Sequence, residues 1–203
     1  MSSDADLSYL REMAEAGERA PILSGRFFIW WGSLASLALL AHWFILTGRA
    51  GLPIEQVGLV WLSFGVVGSI GSGVLRKGMS VKPGSGSAGN RGDRAVWHAM
   101  FISIVAYTLG LVAALSMGRI EQTLFDTIPL FSLASYGIAF TTVAALGGPR
   151  WMKVMAWISW ILCAVGTSFI GTAGLYLFCV LSVLLVAVVP GVLLLRAEPA
   201  AES

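Results

Sequence analysis

The chain has 203 residues, of which 57% are hydrophobic and 12% charged, with a formal net charge of +2. A soluble domain carries roughly 25% charged residues, and a water-surrounded globule of this composition could not hide its apolar surface. The mean hydropathy of +0.81 therefore assigns most of the polypeptide to lipid, and nothing in the charge pattern indicates a nucleic-acid partner.

Residues 1–26 form an acidic, polar opening. Asp4 or Asp6 can cap a helix in which Leu7, Leu10, Ala14 and Gly17 share one side, and Pro21 closes it. Its opposite face carries carboxylates, which suit an anionic leaflet poorly. The expectation is a short cytoplasmic amphipathic helix docked on the protein's own loops, with capture of a soluble cytoplasmic partner as the alternative. A basic leader running straight into an apolar core is not legible here, so the first apolar stretch reads as a retained signal anchor rather than a cleaved peptide.

Six apolar stretches follow over residues 27–195: Phe27 to Thr47, Ile54 to Leu75, Val96 to Met117, Leu124 to Leu146, Met152 to Ile170 and Gly174 to Leu195. Each is about 19 to 23 residues, enough at ~1.5 Å per residue to cross a hydrocarbon core of roughly 30 Å. Barrel strands would alternate polar and apolar residues, whereas Leu175 to Val189 is apolar apart from isolated small or weakly polar positions. The expected fold is all-α: a polytopic membrane bundle of six transmembrane helices.

Orientation follows from the basic residues. With the N-terminus cytoplasmic, the inner side receives Arg11, Arg19, Arg26, Arg76, Lys77, Lys82, Arg91, Arg94, Arg150, Lys153 and Arg196, and the outer side only Arg49 and Arg119. This asymmetry predicts both termini inside, with a bacterial inner membrane as the default location and 196–203 as a cytoplasmic tail. Trp30, Trp31, Trp97 and Trp151 fall at the inner boundary, where an indole can bury its ring and keep its N–H wet.

In the second span Gly58, Gly65 and Ser72 recur every seven residues, and Gly65, Ser69 and Gly73 every four. One face is thus nearly bare of side chains and suits close approach of another helix, within the chain or from a second copy. The break 76–95 is a Gly/Ser-rich loop whose Arg76, Lys77, Lys82, Arg91 and Arg94 are expected at anionic headgroups or against the acidic N-terminal helix. Gly84, Gly86 and Gly89 match the spacing of a dinucleotide-binding turn, but Pro83 and a membrane span precede them instead of a buried strand, so nucleotide binding is rejected.

Paired outer breaks, Gly48-Arg49 and Gly118-Arg119, hint at tandem helical hairpins, although topology alone also places arginine at such boundaries. His42 and His98 lie at depths differing by roughly 20 Å, too far apart to ligate one iron. Cys163 and Cys179 read as reduced packing residues. Tyr107, Ser135, Tyr136, Thr142, Trp157 and Trp160 combine hydroxyls with aromatic walls and form the candidate ligand pocket, ordinary interhelical hydrogen bonding being the plainer reading. Pro190 frees the carbonyl of Val186 in the sixth span.

No paired-histidine zinc motif, serine elbow or intramembrane acid pair is present, so neither enzyme activity nor a cofactor or metal is expected. The expected function is that of a non-catalytic accessory, scaffolding or regulatory subunit acting through its cytoplasmic face. Its expected partners are membrane lipids, a second copy or another membrane subunit, and a soluble protein at the N-terminal helix. The alternatives are a small channel or carrier for a neutral or apolar solute, and a binder of a lipid, quinone or pigment.

Overall fold

The computed structural model describes Ser8, residues 20–79, residue 82 and residues 84–198. Leu7, Leu10, Ala14 and Gly17, which define the expected N-terminal helix, lie outside them, as does the tail 199–203. Among the described residues there are no strands and six helices long and apolar enough to cross a membrane. They are α1 (Gly25–Leu46), α2 (Gln56–Leu75), α3 (Ala88–Ser116), α4 (Gln122–Ala145), α5 (Trp151–Phe169) and α6 (Gly174–Ala197). By length and composition such a set is that of an integral membrane protein, since each helix satisfies its own backbone hydrogen bonds where water is absent.

The helices do not pack as three equal hairpins. α1 lies between α2 and α6, α4 lies between α3 and α5, and α6 also touches α4 and α5. α5 packs chiefly on α4 and α6 chiefly on α1, so the third sequence pair is the loosest. α6 is consequently the most buried helix, while α2 and α3 stand at the margins with large apolar side chains such as Leu62, Ile70 and Leu109 exposed.

Close approach of α1 and α6 rests on glycine. A Cβ at Gly25 would lie 2.7 Å from the backbone nitrogen of Leu195, one at Gly32 would lie 2.8 Å from Cβ of Ala187, and one at Gly191 would lie 2.8 Å from the carbonyl of Gly25. Residues early in α1 thus meet residues late in α6, which makes the two helices antiparallel. Pro190 widens α6 rather than breaking it: a π-helical turn over Leu184–Val188 immediately precedes the proline and delivers Ala187 to Gly32. A proline without an N–H is a known cause of such local rearrangement.

Helix α3 begins at Ala88, eight residues before the expected Val96, so the second half of the glycine-rich break is helix rather than loop. Two causes are visible. Ser87 caps the helix by accepting from the backbone N–H of Asn90 at 3.2 Å. Leu146 then packs onto the glycines: a Cβ at Gly92 would lie 2.1 Å from Cδ1 of Leu146. Tertiary contact overrides the poor helix propensity of Gly89 and Gly92.

An aromatic cluster joins three helices in the half of the bundle nearest these residues. Phe28 of α1 lies 4.6 Å from Trp97 of α3 and 5.7 Å from Phe140 of α4, centroid to centroid, and Trp97 lies 5.0 Å from Tyr136. Phe140, Val143 and Met152 are completely buried beside it. Burying such rings supplies packing between helices where lipid offers no hydrophobic contrast.

Candidate functional sites at the two ends of the bundle

One end gathers residues 20–26, residue 82, residues 84–94, the α4–α5 turn and the end of α6, and it carries most of the basic side chains. Asn90 ties this end together. Its Oδ1 accepts from the backbone N–H of Leu23 at 2.9 Å, while its Nδ2 donates to the carbonyls of Pro21 at 2.8 Å and Gly84 at 3.0 Å. The side chain is buried and reads the chain entering α1 as a strand partner would, one acceptor and one donor. Below it Trp97 donates from Nε1 to buried Asp93 at 2.9 Å.

Charge converges at the same end. Arg26 donates from Nη2 to Oε2 of Glu198 at 2.7 Å, and Lys82 Nζ pairs with that same oxygen. The Glu198 side chain is only 6% exposed, and among the described residues its buried Oε1 has no hydrogen-bond partner, nor has the buried Nε of Arg26. Three chain segments far apart in sequence therefore share one incompletely paired carboxylate. Of the five residues expected at headgroups, Arg76, Lys77, Arg91 and Arg94 are exposed and Arg91 reaches the carbonyl of Gly86, while Lys82 is occupied by Glu198.

The opposite end holds a chain of polar contacts across four helices. Trp61 of α2 donates from Nε1 to Nδ1 of His42 in α1 at 3.3 Å, and the imidazole lies 3.8 Å from the ring of Tyr176 in α6. Tyr176 donates to Asp126 at 2.5 Å, and the backbone N–H of Gly171 donates to the other oxygen at 2.8 Å. Asp126 sits at the junction of the 3₁₀ turn Gln122–Asp126 and the α-helical body of α4, and is itself buried. This set is not legible as a motif in the sequence. Its only sequence signal is that Asp126 and His42 both lie a few residues inside the ends of apolar stretches.

Of the expected small-residue face of α2, Ser72 is buried against α1, whereas the other four residues meet no helix of the chain closely. A Cβ at Gly58, Gly65 or Gly73 would meet nothing within 4 Å, and Ser69 is exposed. The seat lies on the adjacent face instead: rings of Trp31 and Trp30 rest 2.3 Å from the Cβ positions of Gly68 and Gly71. Their N–H groups are not wet, because Trp30 donates to the carbonyl of Gly68 at 3.1 Å and Trp31 to Oγ of buried Ser72 at 2.8 Å. Bulky indoles need matching bare backbone, and Gly68 and Gly71, one turn apart, are the pair that could have revealed this.

The six residues of the expected ligand pocket do not share a cavity. Tyr107 bonds to Thr127 at 2.8 Å, whereas Thr142 lies fifteen residues further along α4, about 22 Å away. Ser135 and Thr142 donate to carbonyls of their own helix, Phe131 and Ile138. Tyr136 belongs to the aromatic cluster, Trp160 donates to the carbonyl of Ala134 at 3.2 Å over Gly137, and Trp157 is exposed. Ser36, Ser132, Thr141, Ser159 and Ser182 likewise bond back four residues within their own helices. Among the hydroxyls of the expected pocket only that of Tyr107 bonds to another helix, at Thr127, since a serine or threonine hydroxyl within a helix has its own i−4 carbonyl within reach.

A shallow cleft of about 490 Å³ does open between α2 and α3, lined by Trp61, Leu62, Gly65, Val66, Ser69, Ile70 and Phe101. Cys163 and Cys179 are free thiols, and His98 is exposed. Among the described residues no three His, Cys, Asp or Glu side chains converge to hold a metal ion. The architecture and these two ends define a six-helix integral membrane protein with a fastened basic face. No family model matches the chain, and no curated protein or solved structure shows significant similarity to it.

Proposed function

We propose that the protein is a non-catalytic accessory, scaffolding or regulatory subunit of a bacterial inner membrane, with both termini cytoplasmic, working through its basic face. The observation that carries this reading is the Asn90 clamp. A buried side chain holding Pro21, Leu23 and Gly84 turns separate loops into one preorganised surface, and preorganisation is what a docking face needs in order to avoid an ordering cost on binding. The concentration of arginine and lysine on this face supports its cytoplasmic placement.

Affinity purification in mild detergent tests the reading. The wild-type chain should carry a defined membrane or cytoplasmic protein in constant stoichiometry, and Asn90→Ala should lose it while remaining in the membrane. A strictly monomeric, partnerless particle from native membranes would overturn it.

Binding of an apolar ligand is a second reading, favoured by the α2–α3 cleft rather than by the dispersed hydroxyls of Tyr107, Ser135, Tyr136 and Thr142. Trp61 and Phe101 provide aromatic walls and Ser69 a lone hydroxyl, a combination common in ligand sites. Absorbance and mass spectra of the purified protein would expose a bound quinone or pigment, and Gly65→Trp should displace it. Passive conduction has less support, because the serine and threonine hydroxyls are already turned to their own carbonyls.

A further inference from the structure

The Arg26–Lys82–Glu198 cluster is mismatched in a particular way. A carboxylate meeting an arginine fork ordinarily uses both oxygens, yet here Arg26 and Lys82 crowd onto Oε2 while, among the described residues, the buried Oε1 and the Nε of Arg26 find no partner. Leaving charged groups buried without partners is costly, so one carboxylate oxygen is a poor filler for two cations.

Two further features bear on what would fill the place better. Arg26 is the second residue of α1, a helix of 22 residues whose N-terminus has no side-chain cap, so its positive dipole end adds to the cationic field. Glu198 follows the last residue of α6 in extended conformation, with ψ at 132°, so it can leave without unwinding the helix.

We propose that Arg26 and Lys82 form a binding site for a phosphate group, that of an anionic phospholipid headgroup or a free phosphate, which Glu198 fills as an internal surrogate. A phosphodiester presents two non-bridging oxygens. One can take Nε of Arg26 while the other takes Nη2 and Lys82, and both buried vacancies in hydrogen bonding disappear. Glu198 then acts as a competitor whose departure exposes the site. The proposal concerns the same face as the scaffolding reading but requires no protein partner, so either can fail alone.

The full chain in nanodiscs tests it. Wild type, Glu198→Gln, Arg26→Gln and Lys82→Gln are placed in phosphatidylcholine discs, with or without phosphatidylglycerol, and retained lipid is read by native mass spectrometry. Glu198→Gln should retain phosphatidylglycerol several-fold more strongly than wild type, and Arg26→Gln and Lys82→Gln should lose it. Inorganic phosphate added to phosphatidylcholine discs distinguishes the source: phosphate protecting Glu198→Gln against heat, with no phosphatidylglycerol preference, assigns a soluble phosphate. Equal retention by wild type and Glu198→Gln without phosphate protection overturns the site, as does an equal loss in an Arg76→Gln control, which would mark diffuse attraction only. If Arg26→Gln fails to fold, the gain or its absence in Glu198→Gln decides alone.

Discussion

Tyr176 donates a 2.5 Å hydrogen bond to Asp126 although fifty residues separate them, and Gly171 supplies a backbone N–H to the second carboxylate oxygen. The bond fastens α6 to the start of α4 and explains how a buried carboxylate is tolerated at that end of the bundle: both of its oxygens are satisfied. An unsatisfied one would be expensive in such surroundings.

Removing the two partners should therefore have unequal effects. Tyr176→Phe keeps the ring against His42 and loses one bond to a carboxylate, with an expected cost of about 1.5–3 kcal/mol. Asp126→Ala should cost more, because it strands both the Tyr176 hydroxyl and the Gly171 N–H. Thermal unfolding in one detergent checks the order, and a Tyr176→Phe protein as stable as wild type would refute the account.

Glycines of α2 should divide into two groups. Gly68→Ala and Gly71→Ala place a methyl 2.3 Å from the Trp31 and Trp30 rings, an overpacking worth about 1–3 kcal/mol. Gly58→Ala and Gly65→Ala meet open space and should be neutral in the isolated protein. Should Gly65→Ala instead break up an assembly in native membranes while leaving the monomer's melting unchanged, the open stripe is an interface with a second chain.

Asn90→Ala deletes three bonds to the neighbouring backbone and leaves the groups at Pro21, Leu23 and Gly84 seeking other partners. The transmembrane body should persist, since its contacts lie elsewhere. Proteolysis in sealed vesicles should become faster at residues 20–24 and 84–87. Unchanged cleavage would mean that the clamp contributes nothing to the face.

Sidedness can be read directly. In a background with Cys163 and Cys179 replaced by alanine, Gly86→Cys and Arg119→Cys occupy opposite ends of α3. A membrane-impermeant maleimide applied to intact cells should label Arg119→Cys only, and Gly86→Cys after lysis. The reverse pattern would place the basic face outside and remove the ground for a cytoplasmic role.

Hydrogen bonding by Trp61 gives a further check. His42→Leu removes the acceptor and leaves an indole N–H unpaired in an apolar setting, at about 1–3 kcal/mol, whereas His42→Gln retains an acceptor and should recover part of it. Melting temperatures of the pair decide this, and two equal losses would assign His42 to packing alone.

How much of this was legible in the chain varies with the range of the interaction. Helix number, helix type and the grouping of arginine and lysine at one end are local quantities, set by unbroken apolar runs too long for anything but a span and by breaks that concentrate charge. Residue-by-residue contact is a different matter. Of the expected stripe Gly58, Gly65, Ser69, Ser72 and Gly73 only Ser72 receives an indole of α1, and the ring seats are Gly68 and Gly71, which lack its periodicity, because seating depends on where the two Trp side chains project. The hydroxyls of Ser135 and Thr142 looked available and are consumed by their own helix. Asp126, His42 and Tyr176 carry no common motif, since three separate helices bring them together. Composition and charge alone determined that this is a six-helix membrane protein with one basic side; only the tertiary structure decided which faces meet and which polar groups find partners, because in a bilayer nearly every helix face is apolar and the choice between them rests on the fit of individual side chains.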